Sequence, residues 1–220
     1  MRADGLTPRA LVRLDAEIAR TVAGRDRIVL AFSGGLGSLL VAALARKRCD
    51  LQCVVVGSRT SADVGAALVA QKFLDYPVTV LSPSAERART VGRRIRSADP
   101  LLPLEDVLAL VPLEFVEEHH PLEPVVSGFG LTARTPSLRR ALESKAGRCP
   151  GLRLRVSHST RVPLTRMAEA AGLPVSFIRA APRSPLEGSG LGPALRALAR
   201  SQRVSLDRLL SVDGPLRENQ

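Results

Sequence analysis

At 220 residues and 45% hydrophobic content, the chain can bury one substantial core, and it lacks an apolar run long enough to span a bilayer. The formal charge is +11, with Lys47, Lys72 and Lys145 the only lysines among 32 basic residues. Such a balance draws polyanions non-specifically. Cys49, Cys53 and Cys149 show no paired spacing, which argues against a disulfide framework and a zinc site.

Residues 1–22 mix charges throughout and hold no continuous apolar core of a secretory signal, so a cytoplasmic protein is expected. Aromatics make up 3% of the chain, few for the stacking platforms of single-strand recognition. Arg13, Arg20, Arg46, Arg87, Arg93, Arg139, Arg153 and Arg196 are scattered, without a basic block. The charge therefore reads as a solvated surface before a nucleic-acid face, though RNA stays open as a partner.

Leu11, Leu14, Ile18 and Val22 recur at helical spacing and predict a helix over 8–23 ending near Gly24. A strand is predicted at 27–32, then a glycine turn, a helix ending at Arg46-Lys47-Arg48, and a buried strand at 51–57. Ser61 or Asp63 can cap the next helix, which leads to a strand at 77–81. This βαβαβ order implies a parallel sheet with right-handed crossovers. An arginine-rich helix at 84–97 follows, then one over 103–120 that Pro112 must kink or split. Another strand is expected at 123–128, helical stretches near 135–146 and 161–172, and a short strand at 152–156. A glycine turn, a helix and a Ser205-capped helix end the chain. The expectation is a doubly wound α/β fold of about five strands. Residues 1–134 would form the nucleotide-binding core and 135–220 a mainly helical part packed on it as one compact unit.

The stretch Ser33-Gly34-Gly35-Leu36-Gly37-Ser38 lies between a predicted strand and a predicted helix. A helix N-terminus exposes unpaired N–H groups at the positive end of a dipole of about half a charge. Gly34 and Gly35 permit close backbone approach, and the Ser33 and Ser38 hydroxyls add donors. This favours phosphate binding over a bare turn. It is neither a Walker loop nor GxGxxG.

Here the chain resembles the asparagine-synthetase-like branch of the PP-loop ATP pyrophosphatases, of the small archaeal stand-alone type. The family's strand followed by Ser-Gly-Gly-x-Asp-Ser is matched at Ser33, Gly34, Gly35 and Ser38. Residues 54–81 look like its second strand and helix. "VVSGFG" at 125–130 resembles its Val-Leu-Ser-Gly-x-Gly turn, "GLRLRVSHS" at 151–159 its Glu-Leu-Arg-x-Pro segment, and "PRSPLEGSGLGPALRALA" its glycine-serine tail. The similarity spans residues 8–211, and the first motif is the specific one.

The resemblance implies an adenine nucleotide α-hydrolase fold that binds ATP, transfers AMP to an aspartate-like carboxylate, and lets ammonia displace the AMP. It places phosphates on Ser33–Ser38, adenine on the backbone of Val55, Val56 and Gly57, and further nucleotide contacts on Ser127, Gly128 and Gly130. Magnesium would be held by a loop aspartate and by an acidic pair after the second glycine turn. Here those positions are Gly37 and Leu131-Thr132-Ala133, so both acidic sites are gone. The family lysine is also missing, leaving Arg161 or Arg183 as phosphate cations. Loss of metal ligands costs transfer chemistry before binding. Glu105, Asp106 or Glu114 could replace them.

His119-His120 beside Glu117 and Glu118 reads as a solvated helix end, since adjacent helical residues face different ways. His158 has no nucleophile motif near it. Asp63 reads as a cap, and Glu187-Gly188-Ser189-Gly190 as a turn whose glycines could face the nucleotide. Three functions follow: a divergent ATP-dependent carboxylate-amine ligase, a non-catalytic nucleotide-binding protein, or an RNA-modifying PP-loop enzyme. The family's glutaminase cysteine after the initiator methionine is Arg2 here, so nitrogen would arrive as ammonia or from a glutaminase partner.

Overall fold

The computed structural model describes residues 6–133, 135–152, 164–179 and 185–211. In chain order the elements are α1 (Leu6–Val22), β1 (Arg27–Ala31), α2 (Leu36–Ala45), β2 (Asp50–Val56), α3 (Ala62–Leu74), β3 (Val78–Leu81), α4 (Ala85–Ala98), α5 (Leu104–His119) and β4 (Val125–Ser127). After them come α6 (Phe129–Thr132), α7 (Pro136–Glu143), a 3-10 turn at Ala146–Arg148, α8 (Leu164–Ala170), α9 (Val175–Ile178), α10 (Pro185–Gly188), α11 (Leu191–Ser201) and α12 (Leu206–Leu210).

All four strands are parallel, in the order β3-β2-β1-β4. The period-2 alternation divides the strands between two cores. Ile28, Leu30, Cys53, Val55 and Val126 pack on one face with α1, α2, α3, α8 and α9. Val29, Val54, Val56 and Val125 pack on the other with α4, α5, α7, α11 and α12. The sheet is thus sandwiched between two helical layers. Because the chain steps outward from β1 to β3 and then crosses to β4, the order reverses between β1 and β4. At such a switch point the strand-end loops diverge and leave a crevice.

Four strands rather than five are present among the described residues. Most of the predicted strand at 152–156 lies outside them, and Leu152 is in a turn. Nor is α5 split at Pro112, since it runs unbroken from Leu104 to His119. Proline removes one N–H and crowds the preceding turn. Burial of Val107, Leu108, Val111, Leu113, Phe115 and Val116 between the sheet and α4 holds the helix together. Ser61, not Asp63, caps α3, accepting from the Val64 N–H at 3.4 Å.

The arginine-rich helix α4 turns Ala88, Val91, Gly92 and Ile95 inward. Its arginines are engaged: Arg87 and Arg94 with Glu118, Arg89 with Glu86, Arg96 with Asp207, and Arg93 with the Leu209 carbonyl. This helix is therefore a laced structural element rather than a free basic face. Cys53 and Cys149 are buried free thiols pushed up to about 12 by burial, which makes them core residues and poor nucleophiles.

Both α11 and α12 pack on α4, with Leu195 and Leu210 fully buried. We propose on this basis that the described helices from residue 135 onward and the sheet core before them unfold together. Leu195→Ala should lower a single thermal transition and cost about 2–5 kcal/mol. Two separated transitions would show independent units.

Candidate functional site

The loop after β1 follows from three local constraints. Phe32 still donates to the Val54 carbonyl at 2.8 Å, which keeps the chain in the sheet. Gly34 then turns with φ +66°, and a Cβ there would stand 2.7 Å from the backbone of Ala66 and Ala67. Only glycine fits against α3 at this point. Gly35 is the N-cap of α2, extended at φ −78° and ψ 161°, and has no side chain to cap the helix.

The loop bonds itself sparingly. Gly35 N–H donates to Ser33 Oγ at 3.3 Å, Ser38 Oγ donates to the Gly35 carbonyl at 2.9 Å, and the two hydroxyl oxygens lie 3.4 Å apart. Leu39 N–H already closes the first helical turn on Gly35. The N–H groups of Leu36, Gly37 and Ser38 have no partner among the described residues, and the first turn holds no acid. Gly37 and Ser38 are buried residues. Buried N–H groups left unpaired cost free energy, which an anion or water would offset.

On the other side of the switch point, Ala31 pairs with Ser127. Ser127 Oγ accepts from Phe129 N–H at 3.2 Å, turning the chain into α6. Gly128 lies directly against α2, for a Cβ on it would be 2.6 Å from Gly37 C and Ser38 N. Gly130 is equally tight, since its Cβ would be 2.5 Å from the Cys149 carbonyl oxygen. Ser33–Ser38 and Ser127–Gly130 are thus brought together, and the two glycines of the second turn serve close packing.

The end of β2 is occupied by the chain itself. Gly57 N–H donates to the Leu81 carbonyl at 2.9 Å, the Gly57 carbonyl accepts from Ser82 Oγ at 2.8 Å, and Ser58 N–H donates to the Ser189 carbonyl at 3.3 Å. The turn at 187–190 therefore lies over this strand end, with Gly188 against the buried Asp63 carboxylate. A base hydrogen-bonded to the backbone after β2 would have to displace this turn. Sequence reasoning placed the turn near the cleft through its glycines but missed that Ser189 occupies the strand end. Arg161 and Arg183 lie outside the described residues.

No lysine among the described residues serves the loop. Lys47 and Lys72 follow or end α2 and α3 at the opposite edge of the sheet. Burial pulls Lys145 down, but Glu114 and Glu117 hold it above its ordinary value, with Glu114 at 2.7 Å.

A magnesium ion does not fit the donors at the positions the resemblance points to. Gly37, Leu131, Thr132 and Ala133 offer no carboxylate, and the Gly37 side-chain direction is filled by Thr132 Cγ2 at 2.9 Å and the Gly128 oxygen at 3.1 Å. Of the replacement candidates, Glu114 pairs with Lys145 and Arg94. Asp106 is buried and accepts from Thr135 at 2.9 Å and from Ser137, tying α7 to α5. Glu105 is exposed on the first turn of α5. No cluster of three His, Cys, Asp or Glu suited to a metal occurs among the described residues. His119 instead contacts the Phe115 carbonyl at 2.8 Å and His120 the Glu123 carboxylate at 2.6 Å.

Two surface grooves, of about 470 and 640 Å³, lie at the other edge of the sheet, beside Lys47 and Tyr76 respectively. Neither reaches the loop.

No family model matches the chain, and no curated protein does. Among solved structures it is similar to NMN synthetase from Francisella tularensis, at 12% identity and TM-score 0.50, over 95% of this chain and 84% of that one. It also aligns with the NH3-dependent NAD synthetase from Campylobacter jejuni subsp. jejuni, at 14% identity and TM-score 0.46, over 96% and 89%. The α/β fold with its four-strand parallel sheet in the order β3-β2-β1-β4 is the one shared with that NMN synthetase. At such identity the likeness carries the fold and not the chemistry. No helix among the described residues is long and apolar enough to cross a membrane.

Proposed function

We propose that the chain is a nucleotide-binding protein of the PP-loop type, which holds the phosphates of ATP or a related adenine nucleotide at Ser33–Ser38 and has lost adenylation chemistry. One observation carries this reading: the N–H groups of Leu36, Gly37 and Ser38, unpartnered among the described residues, at the switch point of a parallel sheet. The Ser33 and Ser38 hydroxyls flank them. Binding needs no more than such donors at a helix N-terminus. Transfer of AMP to a carboxylate needs charge stabilisation in the transition state, and the described residues around the loop supply neither acids to hold a metal nor a lysine.

Asparagine-synthetase-like ligation of an aspartate-like carboxylate with ammonia is therefore the reading this geometry supports less. RNA modification is weakened by the pairing of the α4 arginines. ATP binding should be measured by calorimetry alongside pyrophosphate release with aspartate and ammonium present. The expected result is saturable binding with no release above the uncatalysed background. Steady pyrophosphate release by the natural sequence would show an active ligase.

A further inference from the structure

Gly37 and Gly128 touch backbone to backbone where the ends of β1 and β4 enter their loops. A Cβ on Gly128 would meet Gly37 C and Ser38 N at 2.6 Å, closer than backbone atoms can tolerate without moving. From the other side, a Cβ on Gly37 would meet the Gly128 oxygen at 3.1 Å and Thr132 Cγ2 at 2.9 Å. Thr132 is exposed and can turn aside, but the Gly128 carbonyl belongs to the turn that closes β4 onto α6. A side chain at position 37 therefore requires Thr132 to turn aside and the Gly128 carbonyl to give by a few tenths of an ångström, so a carboxylate there presses on the contact between the two loops.

We propose that this contact makes the switch point a metal-independent oxyanion site, in which N–H and hydroxyl donors alone receive phosphate and a divalent cation has no place. The proposal rests on the reading of Ser33–Ser38 as the phosphate site. A carboxylate at the metal position would repel phosphate unless a cation intervened, so a loop without it binds the bare anion more readily. The other acids on elements near this edge form no metal-holding group among the described residues, Glu187, exposed on the turn over the end of β2, included. Asp63, on the helix that Gly34 packs against, is buried beneath Gly188. Asp106 is held by the Thr135 and Ser137 hydroxyls, and Glu105 is exposed on the outer turn of α5. The internal segments 153–163 and 180–184 contain no Asp or Glu at all.

The test uses the full chain and inorganic pyrophosphate, titrated in chelator and in excess magnesium, with free pyrophosphate corrected for its magnesium complexes. The two affinities should agree to within about twofold, and a magnesium gain of about tenfold or more would overturn the proposal. Loss of that gain in Asp63→Asn or Glu105→Gln would place the cation on that residue. Absence of binding under both conditions would instead overturn the phosphate reading, and this proposal with it. Melting temperatures probe the contact separately. Gly65 in α3 has open space at its Cβ position, so Gly65→Ala should melt higher, as alanine favours helix. Gly37→Ala and Gly37→Asp should melt lower despite the same preference. If Gly37→Asp melts like the natural chain and binds manganese, as read by its electron paramagnetic resonance signal, the packing account fails.

Discussion

Gly35→Asp should stabilise the fold and abolish pyrophosphate binding. Gly35 is the N-cap of α2, its dihedrals are those of an ordinary cap, and a Cβ there meets only Ser33 Oγ, at 3.1 Å. An aspartate in that place can accept from the Gly37 or Ser38 N–H and face the helix dipole, for a gain of about 0.5–1 kcal/mol. The same carboxylate would sit where the phosphate must enter. At about 4 Å, with an effective dielectric near 20, the repulsion is about 4 kcal/mol, or roughly a thousandfold in affinity. Gly35→Asn separates charge from occupancy, because it fills the same donors without repulsion and should weaken binding less. Calorimetric titration with pyrophosphate and thermal melts of both variants check the pair of signs. A Gly35→Asp chain that binds as tightly as the natural one would mean that the anion does not use the α2 N-terminus.

Gly34→Ala should be among the most destabilising single substitutions in the molecule, with a cost of about 3 kcal/mol. A residue with a Cβ at φ +66° loses about 1–2 kcal/mol through local crowding alone. Its Cβ would also lie 2.7 Å from Ala66 C and Ala67 N and 2.8 Å from Ala66 Cβ, so α3 would have to shift. Overpacking of this kind costs a further 1–3 kcal/mol or so. Denaturant unfolding measures the sum. Gly24→Ala provides the control, because Gly24 shares the left-handed backbone at φ +71° but has nothing within 4 Å of its Cβ position. It should show the backbone part of the loss alone. Equal losses at the two positions would deny that the loop is wedged against α3.

How far these features could be read in advance depended on the range of the interaction that fixes them. The βαβαβ half was legible because its signals are local: short apolar runs for the strands, Ser61 capping α3, and glycines at the strand-to-helix turn. The rule that proline kinks or splits helices is local and does not weigh the burial of α5, which keeps the helix unsplit through Pro112. The site was legible only in part. Ser33–Gly35 announced a turn, but the role of Gly37 depends on Gly128 and Thr132, some ninety positions later in the chain. Likewise, no pattern within residues 185–190 says that Ser189 will accept from the Ser58 N–H and cover the end of β2. A lone glycine in a sequence does not reveal whether its missing Cβ makes room for a ligand or for its own chain. At Gly128 and Gly130, which the resemblance assigns to nucleotide contact, the space a Cβ would need is taken by neighbouring backbone, and no local pattern announces that.

In the proposed function the N–H groups of Leu36, Gly37 and Ser38 receive a phosphate. Amide resonances followed during titration of the natural chain with inorganic pyrophosphate test it most directly. Large, saturable downfield shifts of these three amides are predicted, as expected for N–H groups entering charge-assisted hydrogen bonds, with the amides of α12, which packs on α4, unmoved. Saturable shifts elsewhere with Leu36, Gly37 and Ser38 unchanged would contradict it, as would a titration in which no amide moves.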